Sequence, residues 1–253
     1  MGKINEVNNN YFLSHLIIKM KKIADRLNQK THFRLTSILL FLLFTCFKSE
    51  AQVDMALQQT MPEAGKLHNN KPLGKGWVNL LKSDSAWNFE RNFWQFTDTG
   101  FHGAMGKEKE HHYSYTKKVY KDFELNVMIR MVGDSNANSG VCVRIQPTNW
   151  DNAPGYQVDM GKGYWGSLWE ERRGNMVQKF PDTLVNKLVN QNDWNHYYII
   201  AKGHHIQAWL NGVKTIDIVH DAGFLEGNIG FQLCHYHSPT VVDVKSLYIR
   251  ELE

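Results

Sequence analysis

The sequence predicts an all-β protein, a single antiparallel β-sandwich of jelly-roll type, and three observations carry that prediction. From Gly76 onward, apolar and polar side chains alternate in short runs, the period-two signature of half-buried strands. Turn signals separate the runs, among them the hairpin dipeptide Asn211-Gly212. No stretch has the periodicity of a long helix, and no repeat is present.

The chain's first segment reads as a leader. A run of about ten apolar residues (35–44) is too short to span a bilayer, which needs roughly 20. Lys21, Lys22, Arg26, Lys30 and Arg34 precede it, and Ser49-Glu50-Ala51 follows as a small-x-small cleavage pattern. Together these predict a signal peptide over residues 1–51, with Met20 as an alternative start. The expected product is exported to the periplasm or the medium. Lipidation at Cys46 is the weaker expectation, because Phe44-Thr45 fits that signal poorly. No other segment is long and apolar enough to be a transmembrane helix.

Removing the leader changes the charge argument. The 253 residues hold 29 Lys and Arg against 25 Asp and Glu, a formal +4, but residues 1–51 carry 8 of the basic and 3 of the acidic ones. What remains is nearly neutral and has no basic stripe, which argues against a nucleic-acid partner. Residues 52–75 are polar and read as a tether, and residues 76–253 as the sandwich. Cys142 and Cys234 are the cysteines beyond the leader, and they fit a disulfide or two buried thiols equally.

Within the sandwich the strands follow in order. Phe123, Leu125, Val127, Ile129 and Met131 face one way, and Glu124, Asn126, Met128 and Arg130 the other. Val141, Val143 and Ile145 oppose Cys142, Arg144 and Gln146, while Tyr156, Val158 and Met160 oppose Gln157 and Asp159. Ile206, Ala208 and Leu210 oppose His205, Gln207 and Trp209, and the turn at 211–212 leads into 213–219. Ile229, Phe231 and Leu233 oppose Gln232 and Cys234, and 242–252 is a last strand.

The polar faces carry Arg, Gln, Asp and Trp rather than the Lys, Glu, Ser and Thr of an ordinary solvated face. Such side chains suit a sugar cleft, where flat rings stack on pyranoses and amides bond to hydroxyls. The segment 163–174 adds two Trp and a Tyr beside Glu170, Glu171, Arg172 and Arg173. Other chemistries find little support. The Asp134–Gly140 stretch lacks the glycine and the terminal Glu of a calcium loop. His235 and His237 share a strand face but have no further ligand at metal-site spacing. The E-x-D-x-x-E pattern of retaining glucanases, a phosphate loop and a nucleophile motif are all missing. No metal site or cofactor is therefore predicted, and a divalent cation at a site unreadable from spacing is left open.

Several segments then resemble a known family. They are Gly76-Trp-Val-Asn-Leu80, Asp122-Phe-Glu-Leu125, Asn138-Ser-Gly-Val-Cys-Val-Arg144 and Gly155-Tyr-Gln-Val-Asp159. Asp193-Trp-Asn195, Trp209-Leu-Asn-Gly212, Gly230-Phe-Gln232 and Leu247-Tyr-Ile-Arg-Glu-Leu252 continue the series. In order and spacing, residues 76–252 are similar to the 3-keto-disaccharide hydrolase-like domains, often labelled family-16-like glycoside hydrolases. The resemblance implies a concanavalin A-like lectin/glucanase fold and a glycosidase acting on sugars already oxidised to a ketone at C3. It also implies a partner oxidoreductase that supplies such sugars.

A 3-keto group acidifies the C2 proton, so a base removes it, the C1 substituent leaves, and water adds. Strand parity assigns Asp159 as base, Arg144 as stabiliser of the enolate, and His235 or Glu170 as proton donor. Glu124, Arg130, Gln157, Trp169, Gln207, Trp209 and Gln232 are expected to shape the pocket. The rival reading is a non-catalytic carbohydrate-binding module of the cell envelope that uses the same face. A third is a structural envelope domain.

Overall fold

In the computed structural model, residues 18–19, 61–171, 173–234 and 238–253 are described. Apart from residues 18–19 the predicted leader lies outside them, as do Cys46 and His235. The first strands are short: β1 Leu67–His68, β2 Lys71–Pro72, β3 Val78–Asn79, β4 Trp87–Asn88 and β5 Trp94–Thr97. Then come β6 Gly100–Met105, β7 His112–Thr116, β8 Phe123–Gly133, β9 Asn138–Ile145 and β10 Tyr156–Gly161. β11 Leu168–Glu170 and β12 Asn175–Gln178 lead to one short helix, α1 Asp182–Leu188. The chain closes with β13 Trp194–Lys202, β14 His205–Leu210, β15 Val213–Val219, β16 Asn228–Leu233 and β17 Thr240–Glu251. None of the described helices is long and apolar enough to cross a membrane.

The strands form an antiparallel sandwich. One sheet has seven strands in the order β12-β11-β10-β9-β16-β7-β4, and the other eight, β15-β14-β13-β8-β17-β6-β5 with β3 paired to β17 beside this path. The apolar members of each alternation meet between the sheets: Phe123, Leu125, Val127 and Ile129 from β8, Val141 and Val143 from β9, and Ile229 and Phe231 from β16 are all fully buried. Trp87, Trp94, Phe101 and Phe231 form an aromatic cluster at one end of this core, with centroids 5.1–6.4 Å apart. The Asn211-Gly212 turn has positive φ at both residues, 48° and 89°, as a two-residue hairpin of this twist requires.

Residues 61–75 depart from the expected tether. They lie on the outer face of the eight-stranded sheet, where Asn126 donates to the Ala64 carbonyl and Ser246 to that of Asn70. A Cβ added at Gly65 would lie 2.6 Å from the Tyr198 ring, so only glycine lets the chain pass this closely.

Candidate active site

Five strands of the seven-stranded sheet build a polar floor on its outer face. Gln157 on β10 stands opposite Trp169 on β11 and Cys142 on β9. One step along, Asp159, Gly140, Gln232 and Tyr113 form a row across β10, β9, β16 and β7. Gly140 is the gap in that row. A Cβ there would lie 2.3 Å from Gln157 Cγ, so its absence lets the Gln157 amide lie across the strand and reach Asp159.

The resulting cleft has a volume of about 170 Å³, and His111, Asn138, Tyr164, Glu171 and Cys234 complete its walls. Asp159 Oδ1 accepts from Gln157 Nε2 at 3.0 Å, from the Met160 amide at 3.2 Å and from Asn138 Nδ2 at 3.4 Å. Gln157 in turn accepts from the Cys142 thiol at 3.4 Å. Gln232 Nε2 contacts Tyr113 Oη at 2.6 Å, His111 Nδ1 at 3.3 Å and Glu171 Oε1 at 3.4 Å. Gln232 Oε1 is buried with no acceptor role filled among the described residues. A hydroxyl entering the cleft would satisfy it.

Two carboxyls with unusual proton affinities share this space. Asp159 is only 3% exposed, and burial, aided by the nearby Glu171 charge, pushes its pKa up to about 8 against the pull of its three donors. Burial also raises Glu171, while hydrogen bonds from Trp169, Gln232 and Tyr113 favour its anion and limit the rise. The Tyr113 hydroxyl and the Cys142 thiol, both buried, are held well above their ordinary values and remain protonated at neutral pH. A carboxyl pushed up to about 8 favours its protonated form at pH 7, and Oδ2 is the oxygen left for the proton, since Oδ1 takes three donors.

Of the residues predicted from sequence, Asp159, Gln157, Trp169 and Gln232 meet in this cleft. Glu170 does not. It follows Trp169 by one residue, so it points through the sheet, where it is fully buried and pairs with Arg173 at 3.0 Å. Its neighbour Glu171 shares the face of Trp169 and takes the place in the cleft. Parity with Trp169 was the signal that identifies it.

Arg144 is also elsewhere. Between Gly230 and Asn228 of β16, β9 advances from Cys142 to Ile145, an extra residue that constitutes a β-bulge. Arg144 sits in it with φ 52° and turns away from the cleft. Its guanidinium donates to the Lys121 and Gly203 carbonyls and to Asp122 Oδ1, at 2.6–3.0 Å. Gly203 lies in the β13–β14 turn of the other sheet, and Lys121 and Asp122 in the crossover from β7 to β8, so Arg144 ties the two sheets together.

Glu124, Arg130, Gln207 and Trp209 occupy the eight-stranded sheet, on β8 and β14, and none lines the cleft. Glu124 accepts from Tyr198 Oη at 3.0 Å and from Arg250 Nε at 2.6 Å. Arg130 grips Asp243 Oδ2 through Nε and Nη2 at 3.2 and 2.8 Å. Gln207 donates to Asp217, and Trp209 packs on Tyr198 beneath the Lys214 ammonium. Tyr113, His111 and Asn138 escaped the sequence reading. The alternation of Tyr113 and Tyr115 about Ser114 was the available trace of β7.

Among the described residues, no three His, Cys, Asp or Glu side chains converge to hold a metal ion. Cys142 and Cys234 are both buried and form no disulfide with each other.

Comparison with known proteins agrees with the architecture. A candidate glycosyl hydrolase from Parabacteroides distasonis ATCC 8503 superposes with a TM-score of 0.51 at 23% identity, covering 70% of this chain and 100% of that one. A second from the same organism gives 0.51 at 19% identity, over 70% and 94%. A Bacillus subtilis protein of unknown function with a galectin-like fold gives 0.53 at 12% identity, over 68% and 94%. At these identities the likeness is one of fold: a lectin-like jelly-roll sandwich. No curated protein shows significant sequence similarity. Residues 63–250 match the family described as the 3-keto-alpha-glucoside-1,2-lyase-like domain, which takes in the whole floor of the cleft and the segment packed on the opposite sheet. The chain belongs to that family.

Proposed function

We propose that the cleft cleaves glycosides bearing a ketone at C3, by elimination across C1 and C2 followed by hydration. The observation that carries the reading is the pair of carboxyls in one small cleft, Asp159 pushed up to about 8 by burial and Glu171 raised as well, but with hydrogen bonds from Trp169, Gln232 and Tyr113 opposing the rise. Elimination needs one proton donor and one proton acceptor. Glu171 takes the C2 proton, which the ketone has acidified, and the electron pair forms the C1–C2 double bond through the enolate. The C1–O bond breaks, and Asp159 gives its proton to the departing oxygen.

Hydration runs the same exchange backwards. Asp159, now ionised, draws a proton from water as it adds to C1, and Glu171 returns its proton to C2. Both carboxyls end as they began. With the Arg144 guanidinium turned away from the cleft, the enolate oxygen falls to the N–H groups lining it, those of Asn138, Gln157 and His111. The role expected of Asp159 thus changes from base to acid, because a carboxyl that titrates near 8 holds its proton at neutral pH. Export, as the leader predicts, would put this reaction outside the cytoplasm, and its substrate would have to come from an oxidoreductase that makes 3-keto sugars.

The test is product analysis with 3-keto and ordinary disaccharides across pH. Release of sugar from the 3-keto substrates alone, with activity falling above about pH 8 as Asp159 loses its proton, is the expected outcome. Saturable binding of both with no product would establish the lectin-like alternative instead.

A further inference from the structure

The cleft is not closed at the Asp159 end. Asn138, which donates to Asp159, and Tyr164 line both the cleft and a cavity of about 410 Å³ beyond it. That cavity shares Ser135, Ala137 and Lys162 with a third, of about 730 Å³, which reaches α1. The three adjoin through these shared residues and are taken together as one groove, each extension larger than the cleft.

The walls of the groove are held in place. The turn after β10 has Gly161 at φ 152° and Gly163 at φ 83°, and a Cβ at Gly161 would lie 2.6 Å from Asn138 Nδ2. Lys179 bonds to the Gly163 carbonyl and to Asp182 at the start of α1, and its ammonium lies 5.8 Å from the Tyr164 ring centroid. Turn and helix are thereby tied into one bank. The groove's far end has an apolar floor of Met131, Trp165 and Val185 beneath the amides of Asn186 and Gln191, and Asn136 adds a third amide nearer the cleft. An amide donates and accepts at once, which is what a ring of hydroxyls needs.

We infer that this groove receives the leaving group, and that the leaving group is itself an oligosaccharide of two or more sugar units. The inference rests on the elimination reading, which puts the glycosidic oxygen at Asp159, the end where the groove opens. A 3-keto unit at the non-reducing end of a longer chain would fill the cleft while the rest of the chain runs along the groove. Asn136, Asn186 and Gln191 would then set the preference for chain length, without touching the reacting atoms.

The experiment compares a 3-keto-disaccharide, the corresponding trisaccharide and tetrasaccharide, and phenyl 3-keto-glucoside. The expected result is a kcat/KM about tenfold higher for the trisaccharide than for the disaccharide, the gain of one additional set of polar contacts. Asn186→Ala and Gln191→Ala should remove most of that gain. Equal rates at every length, a preference for the phenyl glycoside, or variants that keep the full gain would overturn the assignment. If no 3-keto substrate reacts, calorimetry with unoxidised oligosaccharides separates the two ideas. Affinity that rises with length and falls in Asn186→Ala would keep the groove and sink only the reaction, whereas affinity independent of length would sink the groove as well.

Discussion

The outer faces of the two sheets obey the same alternation and carry similar residue types, yet they treat carboxyl groups in opposite ways. On the eight-stranded sheet Glu124 meets Arg250, Asp243 meets Arg130 and His102, and Asp217 meets Lys214 and His205. Burial alone would raise Asp243 and Asp217, but these partners hold both below the usual carboxylate range, Asp217 at about 2. On the seven-stranded sheet Asp159 is held by an amide pair and a backbone N–H, all neutral. Neutral donors cannot offset its desolvation, and its pKa rises instead. A carboxyl compensated by a cation is a fastening, and a buried one with only neutral partners is raised toward the range where it can exchange a proton.

The largest effects should come from the neutral-partner face. Asp159→Asn and Glu171→Gln are each expected to lower kcat by about 10²–10⁴-fold with the fold intact by circular dichroism. Glu170→Gln, one residue away, should leave kcat within severalfold of wild type. Equal losses at 170 and 171 would show that strand parity does not divide the two roles.

Stability against pH gives the next contrast. A carboxyl with a raised folded pKa binds its proton more tightly in the native state, so its presence costs stability progressively as pH climbs from about 4 to about 8. Between those limits wild type should lose several kcal/mol relative to Asp159→Asn, roughly 5 if the whole shift is expressed. Denaturant titrations at pH 5 and pH 9 measure it, and parallel behaviour of the two proteins would mean that Asp159 is ionised without penalty. Asp243 runs the other way. Its lowered pKa contributes stability at neutral pH that is lost as pH falls through the carboxylate range.

Smaller effects sharpen the boundary of the site. Gly140→Ala forces Gln157 off its position and should cost about 1–3 kcal/mol of stability, with a shift in the basic limb of the pH–rate profile. An unmoved limb would mean that Gln157 does not govern Asp159. Asp243→Asn removes a partly exposed ion pair, so a change of about 1 kcal/mol or less is expected with kcat unaltered. Lost activity there would extend the functional surface to the second sheet.

Most of the sandwich was legible because alternation and turn residues are local. The inward faces of β8, β9, β10 and β16 are the ones the pattern names. Parity also put Asp159, Gln157, Trp169 and Gln232 on outward faces, which the fold brings to one cleft. It could not assign Glu124, Arg130, Gln207 and Trp209 to their sheet, since every outward side chain looks alike in sequence and sheet membership depends on distant partners such as β8 with β17. A bulge of one residue removed Arg144 from the face that parity gave it. Preferring Glu170 to Glu171 set parity aside where it would have served. The packing of 61–75 was hidden by its polar, turn-rich composition, which reads as a tether although its backbone carbonyls receive side chains from the sheet.

Arg144 has one more consequence, and it concerns time. Its guanidinium fastens the end of one sheet to the crossover leading into the other and to a turn of that other sheet, at positions 22 and 59 residues distant along the chain. Bonds of that span are lost only when the sheets part, so they weigh on the barrier to opening. Removing them should register first as a shorter half-life in the presence of protease, before any comparable drop in melting temperature. A side chain that takes no part in the chemistry would in this way set how long the cleft survives to perform it.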